Sequence, residues 1–348
     1  MGCRHSRVFN FNRTVKSYPG EVFYPSTESE IHSIVTAAAR AGRRLKVAGP
    51  GHTWSDFVKY DTGEWVMSLR NYNRCVNIDT HNMEITCQAG ITLEDMINNY
   101  LIPRRLALVN LTSIEEQCLG GVIATNSHGS SNTADGLGDQ ALAFKVMEIT
   151  KHGATTTVRR GDEYFTSLQC HLGVVALVLE VTLKVRDEYF LGVKTANLGT
   201  LSNLTTERII SQTESAFDVG YAYYSKIDTV VEVVKDYIAP VPTSRRPGIT
   251  DLDNIRRNIV STLVRPFLNT ALEKWISGRA LAQDGQEDIW RVVLAADDSR
   301  GRYNYTAENP SAWCVPLADV QQAFRIARDV MRLFHRQPTA LLIRFRCL

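Results

Sequence analysis

At 348 residues, with 44% hydrophobic and 22% charged side chains, the chain is ordinary globular material with room for two cores. Its 39 basic and 37 acidic residues leave a formal charge of +2, too weak a field to make nucleic acid or an acidic membrane surface the main partner. Seven scattered cysteines, without a CxxC or a histidine cluster, support neither a disulfide framework nor a metal site, and an intracellular, reducing compartment fits them.

No apolar run approaches the roughly 18 residues that a membrane span needs. Gly2 and Ser6, with Cys3 beside them, match an N-terminal acylation pattern, so the expected location is the cytoplasm or, with acylation, the membrane periphery. Val22-Phe23-Tyr24 reads as a strand closed by Pro25. Thr27 with Glu30 forms a capping-box signature, Ile31, Ile34, Val35 and Ala38 recur at helical spacing, and Gly42 stands where the helix should stop. Leu45, Val47 and Ala48 predict a second strand, parallel to the first and joined to it by a right-handed crossover.

That strand runs into Gly49-Pro50-Gly51-His52-Thr53-Trp54-Ser55-Asp56. Two residues without a Cβ let the backbone approach a ligand, consecutive amides can form a nest for a pyrophosphate, and His52 follows as a candidate nucleophile. The same stretch also reads as an ordinary strand-ending turn. It lacks the third glycine of a Rossmann fingerprint and the Gly-Lys-Ser/Thr of a Walker loop.

From Trp65 the period switches to two, through Trp65-Val66-Met67, Cys75-Val76-Asn77-Ile78 and Glu84-Ile85-Thr86-Cys87, which predicts a hairpin turning at His81-Asn82. Thr92 with Asp95 caps a short helix carrying Leu93, Met96 and Ile97. Leu119-Gly120-Gly121-Val122-Ile123-Ala124-Thr125-Asn126-Ser127-His128-Gly129 then supplies paired glycines and many hydroxyl and amide groups, on a backbone expected to lie flat against a ligand. Its alternative is a glycine-rich loop with solvated serines, and His128 reads first as a structural histidine satisfied by backbone. Strands are expected over 144–150 and 155–158. The apolar stretch 174–185 reads as a central strand buried on both faces, with the first domain ending near Asp187. Beyond it, strands over 217–224 and 230–238, a loop marked by Pro240, Pro242 and Pro247, and helix over 252–276 are expected. A helix after Pro316, with Val320, Phe324, Ala327, Met331 and Phe334 on one face, and a last strand over 341–345 complete the reading.

Taken together, Phe23-Tyr24-Pro25, both glycine stretches, and His171-Leu172-Gly173 through Val181-Thr182-Leu183 stand in an order and spacing that resembles the aldonolactone oxidases. These are the L-gulonolactone and D-arabinonolactone branch of the vanillyl-alcohol-oxidase-type FAD enzymes. The resemblance covers about residues 11–187; Tyr221-Ala222-Tyr223-Tyr224, Trp313-Cys314-Val315-Pro316 and Ile343-Arg344-Phe345 are thinner matches beyond it. It implies an α+β fold, with a two-subdomain FAD-binding domain over 14–187 followed by a cap or substrate domain over 188–348. It assigns FAD contacts to Ala48, Gly49, Pro50, Gly51, His52, Thr53, Ser113, Gly120, Gly121, Thr125, Ser127, His128, Gly129 and Leu177, with His52 bonded covalently to the flavin 8α carbon, and substrate binding to Arg344. The implied partners are a sugar lactone and oxygen or another electron acceptor, with no metal.

Two departures accompany the resemblance. Ala176 stands at a usual glycine, and Leu342 stands at the Glu of a Glu-x-Arg pair. The chain as given ends at Leu348, before a His-Trp-x-Lys segment that the family carries. The implied activity is FAD-dependent lactone oxidation by hydride transfer to flavin N5, with a sugar-alcohol oxidase and a flavin-binding, catalytically impaired form as alternatives.

Overall fold

The computed structural model describes residues 3–4, 8–10, 15–53, 59–112, 114–129, 131–132, 134, 136–148, 153–224, 229–240, 287–289, 322–323, 325–326 and 340–344. These fall into two compact units. Of the described residues, the first takes those up to Gly129 and over 136–188, and the second takes 131, 132, 134 and those from Tyr189 onward.

The first unit opens with three short strands, β1 (Cys3–Arg4), β2 (Val8–Phe9) and β3 (Lys16–Ser17), then β4 (Glu21–Phe23), helix α1 (Glu28–Arg40), β5 (Leu45–Ala48) and β6 (Trp65–Ser68). Helix α1 starts where its cap dictates. Thr27 Oγ1 accepts from the Glu30 amide at 3.2 Å while Glu30 Oε2 accepts from the Thr27 amide at 3.2 Å, a reciprocal cap contributing about 1 kcal/mol. Gly42 follows the helix at φ +58°, the left-handed stop that its position predicts. The sheet order is β1-β4-β6-β5, with β4 and β5 both parallel to β6. The two strands flanking α1 are therefore parallel, as expected, but not adjacent. Trp65-Val66-Met67, read from its period as the start of the antiparallel region, is inserted between them, because Val66 and Met67 are buried on opposite faces of a covered sheet.

A second sheet follows, built from β7 (Cys75–Asp79), β8 (Glu84–Gln88), β9 (Leu106–Leu108), β10 (Ala141–Met147), β11 (Thr155–Arg159) and β12 (Leu177–Asp187), in the order β11-β10-β12-β8-β7, with β9 on the far end of β12. The β7–β8 pair is the predicted hairpin. Its turn is held by Asp79 Oδ1, which accepts the amides of His81 and Asn82 at 2.9 Å each. Strand β12 begins at Leu177, not Val174, which is 80% exposed. Only its first three residues are buried on both faces; from Glu180 the side chains alternate between buried and more exposed, as in a strand with one face on the core. Helix α2 (Leu93–Met96), capped by Thr92 Oγ1 on the Asp95 amide, runs into a π-helical turn over Ile97–Leu101 and buries Leu93, Met96, Ile97 and Leu101 completely. Each such side chain contributes about 2 kcal/mol. Short helices α3 (Leu119–Ala124) and α4 (Phe165–Gln169) complete the unit.

In the second unit, β13 (Phe190–Gly199), helix α5 (Thr206–Ser215), β14 (Asp218–Tyr224), β15 (Thr229–Ile238), β16 (Glu287–Ile289) and β17 (Ala340–Arg344) give an antiparallel sheet, among the described residues, of order β16-β13-β15-β14-β17. Leu201, Leu204, Ile209, Val219, Tyr221 and Val230 form one core cluster there, and Arg208 on α5 clamps Glu232 on β15 with bonds of 2.9 and 2.7 Å. Lys235 and Asp218, cross-strand partners, form a buried ion pair at 2.9 Å. The predicted loop at Pro242 and Pro247, the helix over 252–276 and most of the helix after Pro316 lie outside the described residues.

Candidate functional site

Three stretches far apart in the sequence meet in the first unit, and Cys118 is where two of them touch. A methyl group built on Gly49 would lie 2.6 Å from Cys118 Sγ, and one on Gly121 would lie 3.2 Å from the same sulfur. The thiol therefore fills the notch left by both missing side chains. Burial pushes its pKa up, so it stays a protonated, apolar spacer. The third stretch joins at the end of α3, where the Leu172 amide donates to the Ala124 carbonyl at 2.9 Å.

The first loop leaves β5 at Ala48, whose side chain is buried, and exposes Gly49 and Pro50. Gly51 adopts φ +83°, and a Cβ on it would stand 3.1 Å from Phe9 O and 3.4 Å from Asn10 Cα. Glycine is required there twice over, by the left-handed backbone and by the close approach of the chain after β2. The Thr53 amide closes back onto Gly51 O at 2.9 Å, which turns the chain at His52. Asn10 holds the exit: its Nδ2 donates to Thr53 O at 3.1 Å, its Oδ1 accepts from the Val15 amide at 3.0 Å, and it is 2% exposed. His52 is half-buried, and burial lowers its pKa, leaving a neutral imidazole at pH 7.

The second stretch corrects the flat loop expected from its glycines. Leu119 to Ala124 form α3, because the amides of Leu119 and Gly120 dock onto Ile91 O and Ala89 O at 2.8 Å and start a helical turn there. A Cβ on Gly120 would meet Ala89 Cβ at 3.0 Å and Ala89 O at 3.1 Å, so this glycine serves packing against the end of β8. Gly121 faces solvent. After the helix, Thr125 Oγ1 and Ser127 Oγ lie 2.9 Å apart, with Thr125 exposed and Ser127 half-buried. Asn126, at φ +45°, turns inward: its Nδ2 donates to Asp139 Oδ2 and its Oδ1 accepts from the Gly138 amide, both at 2.9 Å. His128 Nδ1 meets the Gly129 carbonyl at 2.8 Å, the backbone contact expected of a structural histidine. At Gly129 a side chain would overlap Leu111 O and Asn110 Oδ1.

The third stretch carries Leu172 at φ +49° and Gly173 at φ +76°, and presents Leu172, Val174 and Val175 as exposed apolar side chains ahead of buried Ala176 and Leu177. His171 accepts the Gly173 amide on Nδ1 at 3.0 Å, which puts the ring proton on Nε2. That Nε2 is buried and has no hydrogen-bond acceptor among the described residues.

Exposed glycine backbone, a pair of hydroxyls, a neutral imidazole and an apolar lip form a donor set that fits a dinucleotide carrying a flat ring. Ser113 lies outside the described residues. Arg344 lies on β17 in the second unit, opposite Gly220. Sequence reasoning did not single out Cys118, Asn10 or Ala89; the only signal was that Cys118 directly precedes the paired-glycine stretch. Among the described residues no three His, Cys, Asp or Glu side chains gather as a metal site, and no helix is long and apolar enough to cross a membrane.

The stretch that carries this arrangement has relatives among known proteins. Residues 19–158 match the FAD binding domain family. The chain is 35% identical to the L-gulonolactone oxidase of Scyliorhinus torazame, over 50% of this chain and 39% of that protein. It is 31% identical to the putative D-arabinono-1,4-lactone oxidase of Neurospora crassa, over 49% and 30%. It thus spans less than half the length of these curated relatives. Its fold matches the crystal structure of cholesterol oxidase from B. sterolicum with a TM-score of 0.68, at 14% identity, over 96% of this chain and 68% of that one. Alkyldihydroxyacetonephosphate synthase matches with a TM-score of 0.57, at 16% identity, over 65% and 48%. Residues 19–158 are thus similar to FAD binding domains, and the chain that carries them resembles the L-gulonolactone and D-arabinono-1,4-lactone oxidases.

Proposed function

We propose that the chain holds FAD along the Gly49 loop, the end of α3 and the Leu172 lip, with His52 as covalent attachment point, and that it serves the oxidation of a sugar-derived lactone. The observation that carries this reading is the convergence of the three stretches on Cys118 and the Ala124 carbonyl, each offering exposed backbone, hydroxyl or apolar surface to one ligand. Bound FAD supplies a two-electron acceptor, which oxygen or another oxidant restores.

The chain's own residues do the rest. The exposed backbone of Gly49, Pro50 and Gly121, on the side away from Cys118, can lie against a pyrophosphate, and the hydroxyls of Thr125 and Ser127 can turn toward its oxygens. His52, kept neutral by burial, has one ring nitrogen free of a proton and so can act as nucleophile toward the flavin's 8α carbon. Leu172, Val174 and Val175 exclude water from one side of an apolar ring. Arg344 is assigned to the substrate, whose class follows the relatives: an L-gulono-1,4-lactone or D-arabinono-1,4-lactone type compound.

The test is spectroscopic. Purified protein should stay yellow after acid precipitation and fluoresce on a denaturing gel, and His52→Ala should release all flavin on denaturation; flavin that remains attached in that variant would move the link elsewhere. Anaerobic mixing with the two lactones should bleach the bound flavin. Bleaching by sorbitol or xylitol alone would replace the lactone reading with a sugar-alcohol one.

A further inference from the structure

Cys75 and Cys87 are directly opposed residues of the antiparallel strands β7 and β8. Opposed residues in such a pair have Cα atoms about 4.5–5.5 Å apart, inside the span of about 4.4–6.8 Å that a disulfide bridges. Both are free thiols in very different surroundings. Cys87 is fully buried, between β7 and the central strand β12, whereas Cys75 is half-buried on β7, the edge strand of its sheet. The ladder is irregular at this point, because Val76 is bulged out between Cys75 and Asn77, and a bulge lets the edge strand shift locally. Cys75 Sγ lies 3.7 Å from the carbonyls of Asn77 and Thr86, so it sits over the ladder and not out in solvent.

The two thiols are chemically unequal. The hydrogen bond from the Cys87 thiol, together with the Arg104 charge, lowers the pKa of Cys75 against the opposing effect of burial. The same bond, with burial, raises that of Cys87. A thiolate-prone sulfur at an edge with a buried thiol against it is the arrangement of an attacking and a resolving cysteine.

We propose that Cys75 and Cys87 form a reversible oxidation site that takes a hydroperoxide as its substrate. The Cys75 thiolate attacks the peroxide: an S–O bond forms, the O–O bond breaks, the sulfur loses two electrons and hydroxide or alkoxide leaves. Cys87 then attacks the resulting sulfenic acid, the S–S bond forms as the S–O bond breaks, and the thiol proton leaves with the hydroxyl as water. A dithiol reverses the change. The link pins β8 two residues before Ala89, whose carbonyl holds the Gly120 amide, so the site adjoins the support of the second glycine stretch. It does not depend on which substrate the flavin oxidises, because the peroxide is supplied from outside in the test.

The tryptic peptide 75–104 contains both cysteines and no internal Lys or Arg. The reduced full chain is exposed to equimolar hydrogen peroxide, denatured, alkylated, digested and weighed. The expected product is this peptide lacking both alkyl groups and lighter than its dithiol form by two hydrogens, restored to the dialkylated form by prior dithiothreitol. Cys118, buried away from peroxide, should stay fully alkylated. Dialkylation of 75–104 at a peroxide dose that oxidises exposed Cys170, or overoxidised Cys75 beside intact Cys87, overturns the proposal; the wild-type protein alone decides this. In Cys87→Ala, dimedone should label Cys75. An unlabelled Cys75 in a variant that keeps the wild-type circular dichroism spectrum would overturn the assigned order of attack.

Discussion

The two glycine stretches look alike in sequence and use glycine for different reasons. Gly51 is needed for its backbone: φ +83° disfavours any side chain whatever the space around it. Gly120 needs no unusual angle and is required for closeness, since its amide is bonded to Ala89 O and its α-carbon packs on the same residue. Their companions Gly49 and Gly121 share a third role, the notch that Cys118 fills. One loop is thus shaped by conformation and the other by packing, and the sulfur sets the spacing between them. A glycine pair therefore announces a close approach without saying whether a ligand or the protein itself is what comes close.

Substitutions at three glycines test that difference, and the largest effect is expected at Gly120. Gly120→Val drives two methyl groups into Ala89 and the end of β8, where backbone must move, and should cost about 3 kcal/mol of unfolding free energy in a urea titration. A midpoint within error of wild type would mean that α3 can lift away and that its docking is not structural. At Gly51, Val should cost about 2 kcal/mol and weaken FAD binding, but Gly51→Asn should recover roughly half, since Asn enters the left-handed region more readily than a β-branched residue. Equal losses for Val and Asn would show that crowding against Phe9 O, not the φ angle, decides this position. The smallest effect concerns the notch. Gly49→Ala should cost about 1 kcal/mol because its methyl meets Cys118 Sγ at 2.6 Å, and adding Cys118→Ala should remove most of that loss. Strict additivity of the two changes would separate Gly49 from the sulfur.

The first unit also separates what is legible in a chain from what is not. The α1 capping box, the Gly42 stop, the β7–β8 hairpin turning at His81-Asn82 and the Thr92 cap were all readable, because each depends on hydrogen bonds within a few residues. The position of β6 between β4 and β5 was not. A strand of Trp65-Val66-Met67-Ser68 carries the same period in an antiparallel ladder as in a parallel one, and only its burial on both faces distinguishes them. Val174 and Val175 read as strand interior by hydropathy alone, yet they stand exposed beside the proposed ring site, where a ligand could cover what the chain does not.

By itself the sequence determined the kinds of groups that could meet a cofactor: the left-handed-tolerant loop, the hydroxyl cluster and a histidine directly after a glycine nest. Those are properties of residue type and short spacing, which survive in any fold that keeps the local backbone. Only the tertiary structure decided that Asn10 holds the carbonyl of Thr53 across 43 positions, that Cys118 touches Gly49, and that Gly120 is spent on Ala89. Such contacts arise when separate strands and helices close into one core, and the free energy that fixes them comes from burying surface shared by distant segments, which no window of neighbouring residues contains.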